Sequence, residues 1–505
     1  MQENTNKAIA VNSAILYGKT IINTLCALLT TRFALQALGV IDYGLYAVLG
    51  GIISFIGIFN TIMVATSNRF MAVAIGKGDI DEANQQFNVN LFIHVGIAFL
   101  ALMVAFPVGE WYIPRYVNYD GSLDDAMMVY TVSIVGSILS FVGVPYNGLL
   151  MAKEKFIIFS IADVFSHLAR LVVAWILVYH FEQKLLIYTF TMAIMLALPT
   201  AFYILYCAKR YPQIVRLRKV RDKQMYKRVF NFSSWVAVGA VAQVSRNQGA
   251  ALIVNTFFNT AMNTAMGVAT SVNAYVSLFA QNVTQPMAPQ ITKSYASGNH
   301  QRTDELLIMS AKYSFMLTFL IGSIFLVEPE WILRLWLGNV PQYASVFLIL
   351  LVIDNLVKSL NSGISNIIFA SGKISLFQAL ASSLNILSII LGYFALRLGA
   401  PAYFLIVAYI IVSIGMFFAL QFALRHTLHY NNRKLWRYSY IPSVFTVILY
   451  LPVFFLPQFI HPIFVIILSF IYLCILEWTV CLSKAERQKM RVFIIETKKK
   501  LMTKK

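Results

Sequence analysis

What most constrains this chain is a long succession of apolar segments, each about 20 residues, because that length matches the hydrocarbon thickness of a bilayer. They can be read near 12–36, 44–66, 87–108, 126–150, 157–180, 185–207, 229–256 and 262–286, then 308–327, 343–369, 376–396, 402–424, 440–459 and 462–482. About fourteen spans with short connections use up all 505 residues. Hydrophobic residues make up 59% of the chain and charged ones 12%, with a mean hydropathy of +0.70, so no large water-soluble domain fits. Backbone groups in lipid must be satisfied within each segment, and these segments lack the strict alternation of barrel strands. The expected fold class is all-α, a polytopic membrane protein.

Charge then orients the spans. Lys and Arg number 40 against 21 Asp and Glu, a formal charge of +19 that in a soluble chain would suggest nucleic acid. Here its location decides otherwise. With the N-terminus inside, the inner segments hold 30 Lys and Arg, and the outer turns hold only Arg115, Lys184, Arg334 and Arg397. The positive-inside rule therefore predicts both termini in the cytoplasm. The start, MQENTNKAIAVNS, is polar and has no cleavage-site pattern, so the first span is expected to act as the insertion signal. The basic run from Lys209 to Arg228 and the tail from Lys484 to Lys505 read as topology anchors against anionic headgroups. The longer outer turns, 109–125 and 328–342, are too short for an enzyme domain.

An internal repeat is legible as well. Glu110-Trp111 and Glu330-Trp331 stand 220 residues apart, and Gly78 in GDIDEAN keeps that register with Gly298 in GNHQRTDEL. Ala152 and Lys155 match Ala370 and Lys373 at an offset of 218, and Asn12-Ser13 meets the stretch from Asn231 to Ser233. An even number of spans separates equivalents, so the repeats are parallel, related by an axis along the membrane normal. The domains expected are an N-terminal lobe, 1–220, a C-terminal lobe, 221–430, and two further spans with a basic tail, 431–505. Two pseudo-symmetric six-helix lobes would then face a central cavity.

A charge at mid-membrane costs about 2.5–3.5 kcal/mol on insertion scales, so charges inside spans require a wet, protein-lined interior. Six bases, Lys19, Arg32, Arg69, Arg170, Arg246 and Lys358, are read within spans or near their ends, with at least two acids, among them Asp163 and Asp354. Helical periodicity groups them with other polar residues: Lys19 with Asn23, Asp163 with His167 and Arg170, and Asp354 with Lys358 and Asn361. Asn273 and Gln281 lie on a polar stripe of the eighth span, and Arg246 stands among Gln243, Asn247 and Gln248. Asp163 with Arg170, and Asp354 with Lys358, read equally as ion pairs that stabilise packing or as working groups. Lys19 and Arg246 have no carboxylate near in sequence, which makes them better ligand candidates unless the fold supplies a partner. Asp163 and Asp354 are the candidates for binding a driving proton or cation. Arg32 and Arg69, nearer the span ends, are secondary candidates that can equally snorkel to headgroups.

Pro145, Pro199, Pro286 and Pro289 predict bends in or near helices. The four cysteines, Cys26, Cys207, Cys474 and Cys481, lack metal-ligand spacing and read as packing or lipid-facing residues. No phosphate-binding Gly-rich loop, HExxH or nucleophile elbow is present, which points away from an enzyme and from a bound cofactor or metal.

Three stretches carry a resemblance: LGVIDYGLYAVLGG after the first span, NRFMAVAIGKGD at the end of the second, and NQGAALIVNTFFNTAMNTAMGVATSVNAYVSLFAQNVTQPMAPQITKSYASGN across the seventh and eighth. The chain resembles the polysaccharide transporter (O-antigen flippase) branch of the multidrug/oligosaccharidyl-lipid/polysaccharide exporter superfamily, over nearly its full length. The resemblance implies a flippase moving an undecaprenyl-diphosphate-linked oligosaccharide from the cytoplasmic to the periplasmic leaflet of a bacterial inner membrane. Its partners would be that anionic lipid-linked glycan, membrane lipids and other membrane proteins of polysaccharide assembly, with no nucleic acid. No motif of the family assigns site residues, so Lys19, Asn23, Arg170, Arg246, Asn273, Gln281 and Lys358 stand as substrate-binding candidates on charge and periodicity alone. A multidrug exporter of the same superfamily and a membrane-embedded glycan polymerase or ligase are the alternatives. Organic cations would favour an acidic cavity, and a polymerase longer outer loops.

Overall fold

The computed structural model describes residues 2–54, 56–116, 122–258, 260–337, 340–455 and 461–488. The described residues are helical, with short connections and no strand. In chain order the helices are α1 (Gln2–Ser54), α2 (Ile56–Lys77), α3 (Ile80–Tyr116), α4 (Leu123–Val142), α5 (Val144–Ala152), α6 (Phe156–Tyr179), α7 (Lys184–Arg210), α8 (Pro212–Val215), α9 (Lys223–Phe257) and α10 (Thr260–Ala296). There follow α11 (His300–Val327), α12 (Pro329–Leu337), α13 (Ala344–Ser359), α14 (Ile364–Ser371), α15 (Ser375–Arg397), α16 (Phe404–Leu428), α17 (Arg433–Leu435), α18 (Ile441–Tyr450) and α19 (Pro462–Leu476).

Ten helical segments among the described residues are long and apolar enough to cross a membrane, and an eleventh arises if α13 and α14, bent by 44° at their break, count as one span. The chain is a multi-pass membrane protein. The expected spans 44–66, 229–256 and 262–286 fall in helices whose described residues are interrupted or too polar for that count, notably α9 with Gln243 and Arg246, and α10 with Asn273 and Gln281. Residues 456–460 of the expected span 440–459, residues 117–121 of an outer turn and the basic tail beyond 488 lie outside the described residues.

One expected span is broken, and another is interrupted at a single residue while remaining one membrane-crossing segment, Leu123–Ala152. The stretch 126–150 is interrupted at Gly143, so that Pro145 falls in the first turn of α5, where its missing N–H costs nothing. The stretch 343–369 divides at Leu360–Gly363, where Gly363 takes a φ of 88° that a side chain resists.

The chain forms two compact units. The first comprises Met1–Val241 with Ala288–Asn299 and Phe369–Ile374, and the second Ala242–Met287, His300–Ile368 and Ser375–Lys505. In the first unit α1 packs along α6, α4 along α7 and α2 along α5. Small residues permit the close crossings: a Cβ on Gly136 would sit 2.7 Å from that of Ala193, and one on Gly148 would sit 2.4 Å from Ser67 Oγ. Lipid supplies no hydrophobic drive between helices, so such close contact is what holds them together. In the second unit α11, α13, α15 and α16 surround a core that includes Phe319, Phe347, Leu348, Val352 and Leu405.

The repeat register recurs in the backbone. Gly78 and Gly298 both turn with positive φ, 77° and 73°, each donating its N–H three residues back, to Ile75 and Tyr295. At the offset of 218, Glu154 (58°) matches Gly372 (76°), and Phe181 (76°) matches Gly399 (87°). Two of these six positions carry full side chains in a region costly to them, so turn geometry, rather than glycine as such, is what repeats.

Candidate functional site

In the second unit, three helices converge on one carboxylate. Asp354 lies on α13, whose apolar face packs into the core and leaves Asp354 and Lys358 one turn apart on a common side. Lys358 Nζ is 2.7 Å from Asp354 Oδ2. From α9, Arg246 Nη2 donates to both oxygens of Asp354, each at 3.0 Å. Ser413 Oγ on α16 donates to Oδ1 at 2.5 Å. Arg246 is further fixed: Nη1 donates to Asn385 Oδ1 at 3.3 Å, and the guanidinium lies 4.4 Å from the Tyr409 ring centre. The Tyr409 hydroxyl donates back to the Arg246 carbonyl at 2.8 Å.

Exposure separates the two cations. Arg246 is 1% exposed, whereas the Lys358 side chain is 34% exposed. Lys358 lines a pocket of about 290 Å³ together with Gln243, Asn361, Ser365, Phe377 and Asn385. The carboxylate that Arg246 lacks near it in sequence is supplied by the fold: Asp354 reaches it across 108 residues. The buried guanidinium is held by Asp354, Ser413 and Asn385, whereas Lys358 lines the pocket and is the cation that faces open space.

The first unit holds a looser counterpart. Lys19 Nζ on α1 lies 3.0 Å from Asp163 Oδ2 on α6, and Asn23 Nδ2 donates to the same oxygen at 3.0 Å. Here again the structure supplies Lys19 with the partner its sequence neighbourhood lacks. Lys19 also sits 4.3 Å from the Phe159 ring centre. Asp163 is thus occupied by Lys19, and the Nε of Arg170, one face along α6, is buried without an acceptor. The Asp163–Arg170 pairing is not among the ion pairs of the described residues.

The remaining candidates separate. Asn273 on α10 accepts from Asn355 Nδ2 at 2.7 Å, and the same amide reaches Ser277 Oγ at 2.6 Å, a network that ties α10 to α13. Gln281 and Arg32 are exposed. Arg69 does not snorkel. Its guanidinium lies against the Phe70 and Phe232 rings, at 4.4 and 4.7 Å, and its Nε donates to the Phe369 carbonyl. A side chain held between two rings and a carbonyl fixes the end of α2 rather than meeting headgroups. His94 is buried with its ring nitrogens against the carbonyls of Asn90 and Met63, a packing role. Asn355, Asn385, Tyr409 and Ser413 are members of these networks that sequence reasoning missed. Asn355 stands beside Asp354 on α13, Asn385 continues a stripe with Gln378 and Ser382 on α15, and Tyr409 and Ser413 lie one turn apart on α16, so a periodic signal is present in these helices, carried by neutral polar residues rather than by charges.

Among the described residues no cluster of His, Cys, Asp and Glu could hold a metal ion. Cys26, Cys207 and Cys481 are buried free thiols, and Cys474 is exposed.

No protein-family model matches the sequence, and no curated protein does. Solved structures do match. A mutant MATE protein aligns with a TM-score of 0.74 and 11% identity, over 84% of this chain and 97% of its own. An outward-facing multidrug resistance MATE family transporter of the MOP superfamily aligns at 0.73 and 11%, over 84% and 96%. A MOP superfamily transporter from Pyrococcus furiosus, for which reversed polarity of the binding pocket suggests a different function, aligns at 0.68 and 12%, over 85% and 96%. At such identities the likeness is one of architecture: the chain has the fold of MATE transporters of the MOP superfamily.

Proposed function

We propose that this protein is a flippase that carries an anionic lipid-linked oligosaccharide, of the undecaprenyl-diphosphate kind, from the cytoplasmic to the periplasmic leaflet of a bacterial inner membrane. The transporter fold supports membrane transport, and the choice of substrate rests on one observation, the sign of the charge inside the spans. Among the described residues, Asp163 pairs with Lys19 while Arg170 on the same helix keeps a buried Nε without an acceptor, and Asp354 is shared by Arg246 and Lys358, so around each of these two acids the bases outnumber it. Desolvated cations in excess favour a diphosphate or an acidic glycan, and the amides of Asn23, Gln243 and Asn361 suit sugar hydroxyls.

Lys19 and Lys358 are the cations best placed to meet substrate, because each is partly exposed while paired. Arg170 joins them through its unsatisfied Nε. Arg246 supports the site from behind by holding Asp354. Asp163, with one ammonium and one amide as partners, is the carboxylate we assign to coupling with a proton or cation; Asp354, shared by two cations, is the structural one. Multidrug export is the second reading, favoured by the multidrug resistance transporter of the same fold. The pocket of reversed polarity in the Pyrococcus furiosus transporter indicates that this fold also serves other functions.

The test is translocation in proteoliposomes. A polyprenyl-diphosphate oligosaccharide placed in one leaflet becomes accessible to an impermeant glycosidase only if the protein moves it. Lys19→Ala should slow that conversion while Lys19→Arg retains part of it. Conversion no faster than in protein-free vesicles would refute the proposal.

A further inference from the structure

The pocket beside the Arg246–Asp354–Lys358 triad carries a narrower assignment, which rests on the flippase reading and adds a substrate class to it. We infer that this pocket binds one acidic sugar unit of the glycan, a hexose bearing a carboxylate.

Charge is the first reason. Asp354 answers both Arg246 and Lys358, so the triad keeps one uncompensated positive charge in a largely desolvated place. Arg246 alone can neutralise Asp354, through donation to both carboxylate oxygens. Lys358 can therefore turn from Asp354 to a ligand anion without leaving an orphaned charge behind. It is also the cation of the triad that lines the pocket. No carboxylate lines the pocket among the described residues.

The neutral lining is the second reason. Gln243, Asn361 and Ser365 offer both donors and acceptors, and the buried Oδ1 of Asn361 has no donor of its own. Phe377 and Met416 add apolar surface on the same wall system. Hydroxyls with directional amide partners and a C–H face against an aromatic residue are what a pyranose presents. A free phosphate would want several cations and would leave most of this lining unused. The size agrees, since about 290 Å³ corresponds to roughly ten waters at about 30 Å³ each, near the small end of ligand sites.

The experiment is binding of glucuronate, glucose and inorganic phosphate to the purified full chain in nanodiscs, followed by calorimetry. Glucuronate is expected to bind at least tenfold more tightly than glucose, and Lys358→Gln should erase that preference without removing the binding of glucose. Phe377→Leu, which keeps an apolar side chain and so guards against misfolding, should weaken both sugars several-fold. Equal binding of glucuronate and glucose, tighter binding of phosphate than of glucuronate, or a preference that survives Lys358→Gln would each overturn the assignment. The flippase reading fails separately. Glucuronate binding with no translocation of any lipid-linked glycan would overturn that reading and uphold the pocket, whereas equal translocation of neutral and acidic glycans would uphold that reading and overturn the pocket.

Discussion

Replacing Asp354 by Asn removes the single negative charge of the triad and leaves Arg246 and Lys358 facing each other across a neutral amide. Truncating one side of a buried ion pair costs about 3–5 kcal/mol, because the partner charge stays buried and unpaired. Arg246, at 1% exposure, cannot recover that loss through water. On the globular scale of about 2.1 cal/mol/K per residue, a cooperative unit of about 250 residues would lose on the order of 8 °C in Tm for 4 kcal/mol. Lys358→Met acts in the opposite sense, removing the surplus cation and leaving a neutral Arg246–Asp354 pair, and should be neutral or stabilising. In the double variant, Asp354→Asn with Lys358→Met, one of the two clashing cations is gone. Part of the lost stability should return, with a coupling between the sites of about 1–3 kcal/mol. Thermal unfolding of the four proteins in one detergent measures this cycle. If Asp354→Asn melts with the wild type, or if the two substitutions add without coupling, Asp354 does not hold two cations together.

Four further outcomes follow from the geometry. Asp163→Asn should free Lys19 and abolish the dependence of transport on the ion gradient; unchanged dependence in proteoliposomes would remove Asp163 from coupling. Gly136→Val should destabilise the α4–α7 crossing by about 1–3 kcal/mol, since even a Cβ there meets the backbone of Ala193 at 2.9 Å, and yield after detergent heating reads it. Glu486, which burial alone would push up, is instead held below the ordinary carboxylate range by the Lys312 ammonium and by bonds from Ser483. Its folded-state affinity for protons is depressed, so the stability it contributes is present above about pH 4.3 and lost as pH falls through the folded value; Glu486→Gln should flatten acid denaturation in that window. A single cysteine at Lys219 should be labelled by a permeant maleimide and spared by an impermeant one added outside whole cells, as a cytoplasmic linker requires.

Much of the helical architecture is legible in the chain because apolar length and loop charge are local quantities. The turns at Gly78 and Gly298 are legible too, and the backbone builds them with nearly the same φ. Ion pairing is only partly so. Asp354 and Lys358 stand at i,i+4, a spacing that helix geometry turns into contact, whereas Asp354 and Arg246 are 108 residues apart and Arg69 meets a carbonyl 300 residues away. Partners at such separations depend on how helices pack, which periodicity within one helix does not encode. The break at Gly363 had a local signal in Asn361-Ser362-Gly363, but one small residue in an apolar run is also common inside unbroken spans.

The central claim, that the intramembrane charge selects an anionic lipid-linked glycan, is tested most directly by substrate choice in one set of proteoliposomes. Unlabelled polyprenyl-diphosphate oligosaccharide and an organic cation drug are each offered as competitor against translocation of the labelled lipid-linked glycan, and uptake of the drug is followed in parallel. The account predicts saturable translocation of the anionic glycan, competition by its unlabelled form alone, and no drug uptake above protein-free vesicles. Drug uptake driven by an ion gradient, with no movement of the lipid-linked glycan, would contradict it.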